Sequence, residues 1–551
     1  MIGIKEITWF LNCFAKSVEN EGVNTLTVTQ EISADLVIIG GSLGGCAAAL
    51  AALQTGKTVI LTEETKWIGG QLTNQGVPPD EHPWIESFGA TRNYRTFRRK
   101  IRDYYFNNYP VKNNQQNNQQ FNPGNALVSN ISHEPRVALR VLYDLLAPYL
   151  SSGKLTLLLE YKIIRAETEK DQVLALTVYR PLTGHSLLLT GKYFLDATET
   201  GDVLPLANVE YVIGAESKAE TGEDHAVSGD AETFNMQAFT YCFAMDYLET
   251  EDHTIEKPAQ YEFWKDYQAH FWPAKQLSWW GVVPHTLEPI EYSFFYEPNR
   301  FSLWNYRRII NQTNFVPGTF QSDITIVNWP QNDYWLGPII DVNDEEREKH
   351  LFNAKQLSLS LLYWMQTEAL RPDGGFGYPG LRLRKDVLGT EDGLAMYPYI
   401  RESRRIKAEF TVKEQHISGE IDGKNSATFF EDSVGIGCYR LDLHPSTGMN
   451  SYIDISAYPF QIPLGSLIPI RVRNLLPASK NIGTTHLTNG CYRLHPVEWN
   501  IGEAAGHLAS YCIDQNIVPH EVRNKEPFLK DFQSRLVTAG IELEWPKIHK
   551  V

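Results

Sequence analysis

The chain has 551 residues, enough for more than one structural unit, and 42% are hydrophobic, ample for large buried cores. It carries 50 basic against 66 acidic residues, a net charge of −16 that argues against nucleic acid or an anionic membrane as the main partner. Six scattered cysteines without a C-x-x-C pair exclude a disulfide framework, a cysteine zinc site and a dithiol redox pair, and read as buried free thiols.

Residues 1–33 read as an extension ahead of the first strand. Lys5, Glu6 and Asn12 interrupt its mildly apolar part, cleavage chemistry is absent, and no run reaches transmembrane length, so the expected location is the cytoplasm. Leu36-Val37-Ile38-Ile39 then runs into Gly40-Gly41-Ser42-Leu43-Gly44-Gly45 and an alanine-rich segment: buried strand, tight turn, helix. A second apolar run, Val59-Ile60-Leu61, ends at Glu63 with Glu64 beside it. Strand, glycine turn, helix, strand and acid form the order of a dinucleotide-binding βαβ unit. Gly40 allows a sharp turn off the strand, Gly45 lets the helix approach the sheet, and the first helical N–H groups face a pyrophosphate. Glu63 is placed to accept hydrogen bonds from ribose hydroxyls. Ser42 replaces the middle glycine of the fingerprint; it is small enough to admit phosphate, and its hydroxyl is a donor to it.

Gly69-Gly70-Gln71 gives a backbone that a bulky ligand can approach. The stretch 92–105, with five arginines and a lysine, predicts a helix with a solvated basic face, and 113–120, all Asn and Gln, a surface loop. An amphipathic helix is predicted over 136–150, strands over 155–159, 163–166 and 173–178, and a strand from Tyr193 that ends in Asp196-Ala197-Thr198-Glu199-Thr200-Gly201-Asp202. Residues 216–395 hold eight of the thirteen tryptophans and read as an irregular α+β insert, its aromatics chiefly core, with Asp344 capping a helix through Leu351, Ala354, Leu361 and Met365. Beyond Tyr399 come strands and turns, a helix over 496–513 with Pro496 in its first turn, and a polar tail after 515.

Four ordered blocks carry a resemblance: Val37–Gly45 with Glu63; Gly69-Gly70-Gln71; Asp196–Asp202, similar to a D-A-T-G-D-G-D strand end with Glu199 at a glycine position; and Asn481–Gly506, with Thr484-Thr485-His486-Leu487, Gly490, Arg493 and Pro496. Arg401-Glu402-Ser403-Arg404-Arg405-Ile406 adds a fifth likeness. Together they resemble the FAD-dependent oxidoreductases built on the glutathione-reductase-type Rossmann domain. The resemblance implies an α/β fold with a discontinuous Rossmann-like FAD/NAD(P)-binding domain, 34–215 and 396–515, an inserted α+β substrate domain, 216–395, and a tail, 516–551. It implies non-covalent FAD, its ADP half on Gly40, Gly41, Ser42, Leu43, Gly44, Gly45, Glu63 and Glu64, with the backbone near Ile163 at the adenine. Ala197, Thr198, Gly201 and Asp202 would complete the crevice, and Gly69, Gly70, Gln71, Gly483 and Arg493 would meet the flavin. The helix from Pro496 would aim its positive end at the flavin pyrimidine edge.

The activity implied is a dehydrogenase or oxidase passing hydride from a small organic substrate to FAD, then to oxygen, a quinone or a partner protein. His444, His486 and His495 are the candidate proton acceptors, and Arg493 is placed to bind an anionic group or the reduced flavin; Arg404 and Arg405 read as an ion-pair site. Gly435-Ile436-Gly437 lacks a third glycine and a following strand and acid, so no second dinucleotide site is expected. A flavin monooxygenase or halogenase fed by external reductant needs no such site and is the first alternative, although Trp279-Trp280-Gly281 has the wrong spacing for a halogenase motif. A non-catalytic nucleotide-binding protein of the same fold is the second.

Overall fold

The computed structural model describes residues 30–546, apart from 285, 422, 424 and 449–451; the expected extension up to residue 29, with Cys13, lies outside the described residues. Strand β1 (Gln30–Ile39) enters helix α1 (Leu43–Gln54), which returns through β2 (Val59–Glu63). Helices α2 (Arg92–Asn108) and α3 (Pro135–Ser151) lead to β3 (Leu155–Leu159), a β4–β5 hairpin (Lys162–Glu169, Gln172–Arg180) and β6 (His185–Asp196). Strands β3, β2, β1 and β6 pair in parallel in that order, while β5 lies antiparallel against the first half of β6.

The apolar run of β1 is continuous because both faces are covered. Leu36 and Ile38 point to the core shared with the helices, and Val37 and Ile39 to a second core under the β4–β5 hairpin with Ile163, Leu176 and Val178. Helix α2 differs from its predicted solvated face. Arg98 and Arg102 are buried and hold Glu81 and Glu86 at 2.6 to 2.9 Å. Burial opposes ionisation of Glu86, but the two guanidinium groups hold its carboxyl down at about 2.

The aromatic-rich segment builds its own antiparallel sheet from β7 (Phe243–Tyr247), β8 (Arg308–Ile310), β9 (Ile324–Val327) and β10 (Leu381–Leu383), in the order β8-β9-β7-β10. One face, with Phe243, Met245 and Val327, packs on a core containing Trp264, Trp304, Trp329 and Trp364; Ala244 and Ile326 join the core of the parallel sheet's helices. Helix α4 (Asp344–Thr367) covers the tryptophan core, capped by Asn343, one residue before the expected Asp344, whose side chain accepts the Glu346 N–H.

The chain then returns to the first sheet. Strand β11 (Leu475–Pro477) pairs in parallel with the end of β6, and helices α5 (His486–Tyr492) and α6 (His495–Gln515) follow. Gly435 and Gly437 lie in an antiparallel pair with residues 460–463. In place of the expected polar tail, a short helix, Pro519–Asn524, and α7 (Glu526–Ala539) follow; α7 buries Leu529, Phe532 and Leu536, with the Phe532 ring 5.4 Å from that of Tyr511. Among the described residues, the five cysteines Cys46, Cys242, Cys438, Cys491 and Cys512 are free and buried, and no helix is long and apolar enough to cross a membrane.

Helix α1 is buried on all sides because α6 lies directly on it. A Cβ on Gly502 would sit 2.0 Å from the Gly44 carbonyl oxygen, and one on Gly506 2.4 Å from that of Ala48. Gly502→Ala is therefore expected to lower unfolding stability by about 3 kcal/mol or more, read from the denaturant midpoint; an unchanged midpoint would show that the helices can separate without cost.

Candidate active site

Strands β1, β2, β3, β6 and β11 end along one edge, and a crevice opens there. Gly40, at φ +97°, makes the turn off β1, and a Cβ on it would lie 2.2 Å from the Ala197 carbonyl oxygen. A Cβ on Gly45 would lie 2.1 Å from the Gly40 oxygen, so the helix meets the turn without a side chain between them.

The first four amides of a helix have no intrahelical acceptor. At α1, Gly44 N–H donates to Glu498 Oε1 and Gly45 N–H to the Ser42 hydroxyl, both at 3.1 Å. The amides of Ser42 and Leu43 have no acceptor among the described residues, and both residues are buried. Two unpaired donors at the positive end of a helix, over a turn that admits no side chain, suit an anionic oxygen. Ser42 also gains a structural role: its oxygen caps α1, which the glycine of the usual fingerprint cannot do.

Glu63 ends β2, and its carboxylate accepts from Gly41 N–H (3.0 Å), Thr65 N–H (2.8 Å) and Asn74 Nδ2 (3.2 Å). Burial, reinforced by Glu64, pushes its pKa up to about 8. The crevice brings together Gly40, Ser42, Glu63, Glu64, Ile163, Ala197, Thr198 and Asp202, and adds Asn74, Tyr161, Glu199 and Tyr397, which sequence reasoning missed. Asn74 follows the glycine pair closely enough to have been suspected; Tyr397 gave no local signal. Asp196, fully buried, accepts from Thr198 and from Val203 N–H and shapes the loop between them. Gly201 takes φ +69° in that loop against Arg404, which binds Asp202 at 2.9 Å and Asp341 at 2.8 Å.

Glu199 meets a buried partner in Lys480, which also lies 3.8 Å from Glu498. The two acids keep Lys480 charged against the cost of burial, and Lys480 holds the Glu498 carboxyl down. Gln71 donates to Glu498 and, at 2.9 Å, to the Arg493 carbonyl, so the glycine-pair segment is tied to α5 and α6. Gly69 and Gly70 both take positive φ, and Gly69 N–H donates to the Gly41 carbonyl at 2.6 Å. Gly483 faces Ala408 and the Phe410 carbonyl instead.

Next to this lies a cluster centred on Tyr399. Arg493 donates to its hydroxyl at 3.2 Å, the Arg401 guanidinium lies 5.0 Å from its ring centroid, and the charge of Arg307 acts on the same hydroxyl. The three expected histidines differ in setting. His495 is fully buried with both nitrogens engaged by backbone, Nδ1 by Asp80 N–H at 3.1 Å and Nε2 by the Val77 carbonyl at 3.2 Å; burial pushes its pKa down to about 4. His486 holds Glu402 through Nδ1 at 2.9 Å, and Glu402 also binds Arg405 at 2.6 Å, so Arg405 sits within an ion-pair network. His444 Nδ1 lies 2.5 Å from Asp333 and Nε2 3.8 Å from Asp442, with its side chain 15% exposed.

The family model for FAD dependent oxidoreductases matches residues 35–536. The chain belongs to that family. No curated protein matches it in sequence. Among solved structures, this FAD dependent oxidoreductase is similar to E. coli quinol fumarate reductase FrdA in a mutant form (9% identity, 93% of this chain and 74% of that one, TM-score 0.30). It is also similar to L-proline dehydrogenase from P. horikoshii (15% identity, 34% and 24%, TM-score 0.18) and the myxobacterial FAD-dependent halogenase CndH (13%, 41% and 45%, TM-score 0.22). The chain spans between 24% and 50% of the length of the first three structures matched.

The family membership supports an enzyme with FAD as its cofactor. The crevice fits that group: the unpaired Ser42 and Leu43 amides would hold phosphate oxygens, and Glu63 stands at the end of the second strand where ribose hydroxyls are bound. Gly45→Val is expected to reduce the flavin content of the purified protein at least tenfold, measured as the ratio of visible to ultraviolet absorbance; full occupancy would place the pyrophosphate elsewhere. For protein stripped of FAD, Glu63 gives a pH signature. Its carboxyl is raised from 4.5 to about 8 on folding, so its effect costs stability as pH rises from below 4.5 to about 8. The fall in Tm between pH 5 and 8 is expected to be smaller in Glu63→Gln; equal slopes would show that Glu63 holds no proton.

Proposed function

We propose that the enzyme is a dehydrogenase or oxidase that removes hydride from a carbon of a small organic substrate, with His444 accepting the accompanying proton. The observation that carries this reading is the pairing of His444 with a buried carboxylate at 2.5 Å. Asp333 is fully buried; burial opposes its charge, but Arg401 at 3.0 Å and His444 outweigh it and hold its pKa at about 2. An ionised Asp333 receives the Nδ1–H of His444, which leaves Nε2 as the lone-pair nitrogen, the state of a general base. Nε2 lies 3.8 Å from Asp442.

Bound FAD supplies the two-electron acceptor. The protein's own part is to position the substrate, exclude water and hold the proton. The Tyr399 cluster lies beside the glycine-pair segment, since Gln71 binds the Arg493 carbonyl and Gln75 Oε1 accepts from Ile400 N–H at 3.3 Å. Asp333 and Arg307 come from the aromatic-rich segment, so we assign substrate binding to the junction of that segment with the FAD-holding part.

The first experiment is a visible spectrum of the purified protein and of its acid supernatant, expected to yield released FAD, followed by a screen of small alcohols and amines for bleaching of the flavin band. With a substrate in hand, His444→Gln is expected to slow flavin reduction by about 10²- to 10⁴-fold at unchanged FAD content. Reduction at the wild-type rate would remove His444 from the chemistry, and incorporation of labelled oxygen into the product would favour a monooxygenase.

A further inference from the structure

Proton transfer to His444 makes no use of the three arginines at the Tyr399 cluster. Arg307, Arg401 and Arg493 are buried, at 5%, 1% and 2% exposure, and each is neutralised by its own aspartate. Arg307 binds Asp80 at 2.8 Å, Arg401 binds Asp333 at 3.0 Å and Arg493 binds Asp442 at 3.3 Å. Their remaining terminal N–H groups reach further acceptors: Arg401 the Ala238 carbonyl and Thr240, Arg493 the Tyr399 hydroxyl, Arg307 the Tyr306 hydroxyl. The Nε of all three is buried and has no acceptor.

A buried N–H without an acceptor is unfavourable, and native proteins rarely leave one. Here Arg401 and Arg493, both against Tyr399, and Arg307 each leave one. Guanidinium has no acceptor atom, so the unmet demand is for ligand oxygen and not for ligand N–H. A cationic ligand finds no free acid here, since Asp80, Asp333 and Asp442 already face arginines. A carboxylate brings two acceptor oxygens, each able to take such an N–H, and carries the charge that a guanidinium donor favours.

Resting on the flavin-dehydrogenase reading, we infer that the substrate carries a carboxylate, bound among Arg307, Arg401 and Arg493 beside Tyr399, with the carbon to be oxidised near His444. The class is a small organic acid bearing an oxidisable alcohol or amine carbon. A substrate that brings no oxygen acceptor leaves the three donors unmet.

The binding test needs no known substrate. FAD-loaded wild-type protein is titrated with acetate, succinate and benzoate, and in parallel with acetamide, succinamide and benzamide, while the flavin difference spectrum is followed. At least one carboxylate is expected to give a saturable change, with its amide binding at least tenfold more weakly. Arg401→Lys is expected to weaken the carboxylate at least tenfold at full FAD content; because a buried arginine variant can fail to fold, Tyr399→Phe, which keeps every charge, serves as a second variant, with an expected loss of about threefold. Equal responses to acid and amide, or none to any acid from protein that holds FAD, would overturn the inference. The underlying reading fails separately: carboxylates that bind normally to a His444→Gln variant whose flavin is still reduced at the wild-type rate would leave the acid site standing and remove the proposed base.

Discussion

The fold turns on a contact between two helices that only glycine allows. Gly44 of α1 lies under the Ala478 carbonyl, where a Cβ would approach to 2.0 Å, and Gly502 of α6 lies as close to the Gly44 carbonyl. Because backbone meets backbone there, α6 delivers Glu498 to the Gly44 amide at 3.1 Å. One of the four donors that open α1 is thereby taken by the protein, a second by Ser42, and two remain for a ligand. A wider separation would remove Glu498 from that amide and detach Gln71 and Lys480, which reach the same carboxylate. The glycines thus set the charge pattern of the crevice as well as the packing of the core.

The departures from the usual nucleotide-binding pattern become intelligible in the same terms. Ser42 lacks the permissiveness of glycine but caps the helix. Glu199, at a position where glycine is usual, brings a carboxylate into the interior, and Lys480 is its counterion there. A lone buried charge of either sign would be strongly unfavourable, whereas the set Glu199–Lys480–Glu498, with Gln71 and Ser479 donating to Glu498, satisfies most of its hydrogen-bonding groups.

What the sequence revealed was what neighbouring residues determine. The first βαβ unit, the amphipathic α3, the helix from Pro496 and the acid after β2 follow from runs of apolar residues, glycines and spacing, and all stand in the structure. Features set by distant partners were hidden. Arg98 and Arg102 looked like a wet face because Glu81 and Glu86, which bury them, lie in a loop without periodicity. The helices after 515 looked polar because only one stripe of α7 is buried. The three histidines could not be ranked, since what separates them is the backbone around His495, Glu402 beside His486 and Asp333, 111 residues away, beside His444. The abundance of tryptophan in residues 216–395 drew attention to packing, while the polar groups of the proposed site, Arg307 and Asp333, carried no motif.

Asp333 connects the two halves of the chemistry. The same carboxylate receives Arg401, one of the three arginines with an unmet donor, and His444, the proposed proton acceptor. Anything that draws Arg401 toward a bound carboxylate weakens its hold on Asp333, and an aspartate less engaged by arginine is a stronger partner for an imidazolium. In the proposed chemistry, the acid-binding arginine and the proton-accepting histidine are linked through one side chain. On the proposed assignment, an organic acid and its amide would differ at Arg401, the arginine that shares Asp333 with His444.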